Sequence, residues 1–181
     1  MILFINACVR KESRTLRLAK SFLSGLNAPY MEVRLQDVAF PVTDEAFLAL
    51  RDQLIAEKKF SDPMFSLANQ FAAADQIVIA APFWDLSFPA MLKQYFEHIN
   101  VPGVTFIYTP EGIPEGLCKA KELIYVMTAG GNYVPEEYGF GYVKSLAQNY
   151  YGIPEVRLIQ AVGLDLVGAD PEQILKDCMN K

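Results

Sequence analysis

Five short runs, apolar or weakly alternating and separated by stretches of helical periodicity, constrain this chain more than any other feature. They are Met1–Asn6, Tyr30–Leu35, Gln76–Ala81, Glu122–Met127 and Glu155–Val162. Continuous apolar runs of this length suit strands buried on both faces. Ser13 offers an N-cap for a helix whose apolar side is Leu16, Leu18, Ala19, Phe22, Leu23 and Leu26, closed by Asn27-Ala28-Pro29. Further helices are predicted over Asp44–Lys59, Pro63–Ala74 with Asp62 as cap, Pro89–Asn100, Glu136–Tyr151 and Pro171–Met179 with Asp170 as cap. Gln36–Thr43 reads as a loop and Thr105–Thr109 as a short extended segment. Alternation of strand and helix predicts an α/β fold around a parallel sheet. With no repeat or composition break, the 181 residues read as a single domain, 1–181.

Composition excludes several function classes. The net charge of −5 argues against a broad nucleic-acid surface, while leaving room for a local basic patch. The three cysteines, Cys8, Cys118 and Cys178, are widely spaced, odd in number and form no CxxC pair, which predicts reduced thiols in a cytoplasmic protein. The apolar stretch Met1–Ala7 lacks the basic flank of a secretion signal. No apolar run reaches membrane-spanning length, and no lipidation motif is present. The expectation is therefore no membrane and no nucleic acid.

Three groups of residues follow strand ends. Arg10-Lys11-Glu12-Ser13-Arg14-Thr15 lies between the first strand and the first helix. Its hydroxyls, its cations and the free N–H groups of a helix start make a phosphate cradle without the glycines of a P-loop. The plainer reading is an N-cap flanked by solvated basic residues. Pro82-Phe83-Trp84-Asp85-Leu86-Ser87-Phe88-Pro89 follows the third strand. Phe83, Trp84 and Leu86 provide apolar surface for a flat ligand such as a flavin ring, and the loop backbone provides donors. The alternative is a hydrophobic loop packed into the core, which charged Asp85 disfavours. Thr128-Ala129-Gly130-Gly131-Asn132-Tyr133 follows the fourth strand, and its glycines allow close backbone approach or simply a turn. In a sheet of order 2-1-3-4-5, strands one, three and four are adjacent, so all three groups converge where open α/β sheets bind ligands.

Other residues carry less. His98, the only histidine, lies beside the apolar face Leu92, Tyr95, Phe96 and Ile99 and is predicted at the surface; one histidine builds no His-based metal cluster. Acidic residues show no metal-ligand spacing, so no metal is expected. Ser87 lacks the context of a nucleophile elbow. Glu136 and Glu137 suit a helix N-terminus.

The run Pro82 to His98, then Gly103-Val-Thr-Phe-Ile-Tyr-Thr, Gly112, Gly116-Leu117, Lys121 and Thr128 to Tyr133 resembles the FMN-dependent NADH-azoreductases, among the flavodoxin-like NAD(P)H:quinone oxidoreductases. The resemblance is dense from Pro82 to Tyr133. It implies a flavodoxin-like three-layer sandwich with a five-stranded parallel sheet. It further implies FMN as cofactor, NADH or NADPH as donor, and ping-pong hydride transfer to a small flat electron acceptor such as a quinone or azo compound. A homodimer with a shared active site is implied too, with the region around Phe60 and Phe65 contributing across it. By resemblance Ser13, Arg14 and Thr15, aided by Arg10, hold the phosphate. Pro82, Phe83, Trp84, Asp85 and Leu86 line the flavin edge, and Thr128, Ala129, Gly130, Gly131 and Tyr133 form the third contacting loop. Phe106 and Tyr108 lie in the substrate pocket, and Tyr133 is the candidate hydrogen-bond donor to the acceptor. Two positions depart from the family pattern: Ala7 or Cys8 stands where many members have serine, and Asp85 where asparagine is usual. A carboxylate near a flavin's pyrimidine edge disfavours the anionic reduced ring by like-charge repulsion. The second class of function compatible with these residues is a flavodoxin-like electron-transfer or flavin-binding protein without turnover of its own.

Overall fold

The computed structural model describes residues 1–179. Its sheet is parallel and five-stranded, in the order β2-β1-β3-β6-β7. The strands are β1 (Ile2–Asn6), β2 (Tyr30–Arg34), β3 (Gln76–Ala80), β6 (Glu122–Thr128) and β7 (Glu155–Ala161). With the separate hairpin of β4 (Phe106–Tyr108) and β5 (Pro114–Gly116) set aside, this is the expected order 2-1-3-4-5. Ile2 pairs with both Tyr30 and Gln76, Gln76 with Glu122, and Glu122 with Glu155. All five strands therefore start level, and their carboxyl ends emerge along one edge.

Alternation along the strands divides the core into two layers. Leu3, Ile5, Ile77, Ile79, Leu123 and Tyr125 face a large cluster that includes Phe71, Phe96 and Val143. Helices α2 (Glu45–Ala56), α3 (Ser66–Ala73), α4 (Ala90–Ile99) and α5 (Phe140–Asn149) contribute to that side. Ile2, Phe4, Val78, Ile124 and Val126 face a smaller cluster with Leu18, Leu23 and Leu175. Those three come from α1 (Arg14–Gly25) and α6 (Pro171–Met179). The result is a three-layer α/β/α sandwich.

The caps expected from sequence do form. Ser13 accepts the N–H of Leu16 at 3.2 Å, and Asp170 those of Glu172 and Gln173 at 3.1 Å. Asp44, expected only within the helix, caps α2 by accepting the N–H of Phe47 at 2.9 Å. Asp62 caps a single 3-10 turn, Pro63–Phe65, before α3 begins, so the predicted helix is shorter and bent at its start. Likewise Glu136–Tyr138 is a 3-10 turn, separated from α5 by Gly139 at φ −110°, ψ −88°. The extended segment over Thr105–Thr109 is the strand β4 (Phe106–Tyr108). It pairs antiparallel with β5 (Pro114–Gly116), which proline and glycine hide from sequence reading.

His98 corrects an expectation. Its ring sits 5.1 Å from that of Phe40 and 5.6 Å from that of Phe47, half-buried rather than at the surface. Its Nδ1 lies 2.8 Å from the Gln94 carbonyl, which only accepts, so Nδ1 carries the proton. The segments bearing Phe40 and Phe47 fold over the flank of α4, a long-range contact that helical periodicity does not encode.

Candidate active site

The carboxyl ends of β1, β3 and β6 open into one cleft of about 260 Å³. Its lining includes Arg10, Ser13, Arg14, Thr15, Pro82, Phe83, Trp84, Thr128 and Gly130, together with Val9, Glu12 and Asp165. The volume falls slightly below the roughly 300–1,000 Å³ of ordinary ligand pockets, so a larger ligand extends past its rim.

One end of the cleft is built by the turn into α1. Buried Asn6 accepts the Cys8 N–H at 2.9 Å and donates to Glu32 at 2.8 Å, which sets the direction in which the chain leaves β1. Burial pushes the Cys8 thiol up to about 11, against the lowering effect of a hydrogen bond with Ser13. At neutral pH this cysteine is therefore a neutral packing residue under the loop, not a nucleophile. The Ser13 oxygen and Ser13 carbonyl take the N–H groups of Leu16 and Arg17. The amides of Arg14 and Thr15 remain without an acceptor among the described hydrogen bonds. Unpaired first-turn amides and the positive end of the helix dipole favour an anion there. Thr15 is buried and its hydroxyl meets that of Thr128 at 2.6 Å, which locks the start of α1 to the end of β6.

The other end is aromatic. The Phe83 N–H bonds the Thr128 carbonyl at 3.0 Å, extending the β3–β6 pairing into the loop. Trp84 and Ser87 then exchange two backbone bonds, Trp84 N–H to Ser87 carbonyl at 3.1 Å and the reverse at 2.8 Å. The two residues between them, Asp85 and Leu86, both have positive φ, 50° and 67°. This is a two-residue hairpin of the kind that favours glycine or asparagine, and a leucine there costs on the order of 1 kcal/mol. Bonds at Phe83, Trp84 and Ser87 leave Asp85, Leu86 and Phe88 as the loop's amides without a described partner. The Ser87 hydroxyl donates to the Tyr138 carbonyl at 2.9 Å and ties the loop to the turn before α5. Trp84, 36% exposed, lines the cleft.

Not every expected residue reaches this lining. Asp85 and Leu86 lie at the exposed tip of the hairpin, and Ala129, Gly131 and Tyr133 also fall outside the lining, Tyr133 being 77% exposed. Phe106 is buried against Tyr108 and Tyr150, and Tyr108 points its hydroxyl to that of Tyr150 at 3.5 Å. Both belong to the β4–β5 hairpin and do not line the cleft of their own chain. The region of Phe60 and Phe65 packs elsewhere, with Phe65 buried in the main core.

Val9 and Asp165 line the cleft and were missed by the sequence reading. Asp165 is the charged one. It follows β7 and accepts a bond from Arg14 at 2.8 Å, while the Leu164 carbonyl accepts a second from the same guanidinium at 3.3 Å. Its loop is held by bonds from Gly163, Leu164 and Asp165 N–H groups to the carbonyls of Gly131, Ala129 and Gly130. A Cβ on Gly130 would lie 2.3 Å from the Asp165 carboxylate, so glycine permits this approach. The strand-end argument, applied to the fifth strand as well, would have reached the Asp165 loop.

No acid–base pair or activated nucleophile stands in the lining, and no group of three metal-ligating side chains exists among the described residues. The arrangement suits binding: an anion at the α1 end and a flat ring beside Phe83 and Trp84. A larger groove of about 400 Å³ beside Leu18, Phe22, Arg157 and Ile159 has no helix N-terminus in its lining, and its one arginine lies over the Phe22 ring.

A family model described as flavodoxin-like fold matches residues 1–181. The chain is 34% identical over 193 residues to the FMN-dependent NADH:quinone oxidoreductase of Lachnoclostridium phytofermentans, covering 99% of this chain and 94% of that protein. It is 38% identical over 194 residues to FMN-dependent NADH:quinone oxidoreductase 2 of Clostridium acetobutylicum, with the same coverage of 99% and 94%. Among solved structures, the azoreductase from Bacillus anthracis superposes with a TM-score of 0.85 at 25% identity, covering 99% of this chain and 94% of that one.

Proposed function

The chain belongs to the flavodoxin-like fold family, and from that premise we propose that it is an FMN-dependent NAD(P)H oxidoreductase that reduces quinones, azo compounds or related flat acceptors. The observation that carries this reading is the cleft at the ends of β1, β3 and β6, with the α1 N-terminus, Arg10 and Arg14 at one end and Phe83 and Trp84 at the other. The relatives named for FMN and NADH align along nearly the whole chain.

The residues present fit the cofactor. The unpaired amides of Arg14 and Thr15, with Arg10 beside them, suit a phosphoryl group. Phe83 and Trp84 suit the faces of a flat ring, and the amides of Asp85 and Leu86 suit its polar edge. The chemistry FMN supplies when bound is two-electron transfer between nicotinamide and acceptor. The protein's part is to hold the ring, shield it and leave one face open to a second flat molecule. That division of labour fits a cleft without a catalytic acid or base. Tyr133, 77% exposed in the loop after β6, is proposed as a hydrogen-bond donor to the acceptor.

We further propose a cytoplasmic homodimer. No helix among the described residues is long and apolar enough to cross a membrane. Ile107, Tyr108, Ile113 and Leu117 crowd exposed apolar surface onto the β4–β5 hairpin and its exit. A partner copy covering that surface would bring exposed Tyr108, backed by buried Phe106, to the open rim of a cleft that is small by itself. The test of the activity is initial-rate kinetics with FMN-loaded protein, NADH and a series of quinones and azo compounds. Parallel double-reciprocal lines are expected. Absence of NADH consumption with every acceptor would leave the electron-transfer reading standing instead.

A further inference from the structure

Arg14 stands where an anion would bind, yet it already holds one. Its guanidinium bonds the Asp165 carboxylate at 2.8 Å and the Leu164 carbonyl at 3.3 Å, and Asp165 itself lines the cleft. Glu12 lines it as well, so two carboxylates offset Arg10 and Arg14. A cleft built only for phosphate gains nothing from a carboxylate on its cation. We propose that Asp165 is a built-in competitor for the phosphoryl group: it occupies Arg14 while the cleft is empty and is exchanged when FMN binds. The inference rests on the FMN reading above and deepens it by assigning a residue that sets cofactor affinity.

Three observations support exchange over a permanent bond. The pair is exposed, with 30% of the Arg14 side chain and 65% of the Asp165 side chain accessible, and such pairs are cheap to open. A phosphoryl group carries more charge than a carboxylate, about −1.5 to −2, and three acceptor oxygens. The carboxylate also has somewhere to go, because most of the Asp165 side chain faces solvent. The backbone bonds from residues 163–165 to 129–131 hold the loop independently of the side chain. Removing the carboxylate therefore leaves the loop in place.

The test is equilibrium and stopped-flow binding of FMN and riboflavin to the apoprotein, followed by flavin fluorescence, in wild type, Asp165→Asn and Glu12→Gln. Asp165→Asn is expected to tighten FMN binding by about fivefold or more, the scale of one partly exposed charge contact, and to leave riboflavin within about twofold. Glu12→Gln removes the same charge without freeing Arg14, so its gain is expected to be clearly smaller. The Asp165→Asn gain is expected to shrink at high salt. Weaker FMN binding in Asp165→Asn would show that the carboxylate positions Arg14 and would overturn the proposal. Equal gains in both variants would overturn it too, since through-space charge would then suffice. If wild type binds neither flavin, the FMN reading itself fails. Should Asp165→Asn fold poorly, Asp165→Ala gives the same comparison.

Discussion

Two residues show how much of the cleft is local architecture rather than ligand chemistry. Thr15 and Thr128 spend their hydroxyls on each other at 2.6 Å, both buried. Thr15→Val removes one partner and strands the other, a loss of about 1–3 kcal/mol. Denaturant unfolding of the apoprotein is expected to show it, with Thr15→Val/Thr128→Val costing less than the sum of the single changes. Asp85 is the opposite case. It sits exposed at a hairpin tip with φ 50°, a conformation asparagine tolerates as well as aspartate. Asp85→Asn thus changes charge without disturbing the turn. If the carboxylate lies near bound FMN, the variant's flavin midpoint potential is expected to rise, because a like charge no longer opposes the anionic reduced ring. An unchanged or lower potential removes that role for Asp85.

At the scale of elements, Asp75 pins the amino end of the sheet opposite the cleft. It bonds Lys119 at 2.5 Å and also the amino terminus of Met1. The bond from Lys119, then that from the terminal amine, lowers its carboxyl from 3.8 to about 2. A depressed folded value stabilises above the unfolded value and is lost as pH falls through the folded one. The window is therefore from about 4 down to about 2, and stability in wild type should fall more steeply there than in Asp75→Asn, as acid unfolding curves would record. The elements most visible in the sequence were those whose signal is local. Apolar or weakly alternating runs marked all five strands of the sheet, and cap residues marked α1 and α6. The β5 strand was hidden because Pro114 and Gly116 carry no strand signature, and its pairing with Phe106–Tyr108 supplies the order. The cleft was legible through strand order, since adjacent carboxyl ends must converge. The Arg14–Asp165 contact was not, because it depends on residues 151 apart and on a glycine that lets them meet.

For the whole molecule, the sandwich brings four loops into one cleft but leaves an apolar hairpin uncovered. Ile113 is 60% exposed on that hairpin, and Ile107 39%. Ile107→Asp/Ile113→Asp is expected to turn a dimer into a folded monomer in light scattering, with FMN affinity or turnover reduced if the partner completes the rim. A wild type that is monomeric at all concentrations rules out the shared site. The central claim is that the cleft holds FMN for hydride transfer, and two anaerobic half-reactions test it most directly. FMN-loaded protein mixed with NADH should lose the yellow absorbance of oxidised flavin, and a quinone added next should restore it without oxygen. Flavin that binds but stays oxidised with both NADH and NADPH would contradict the account.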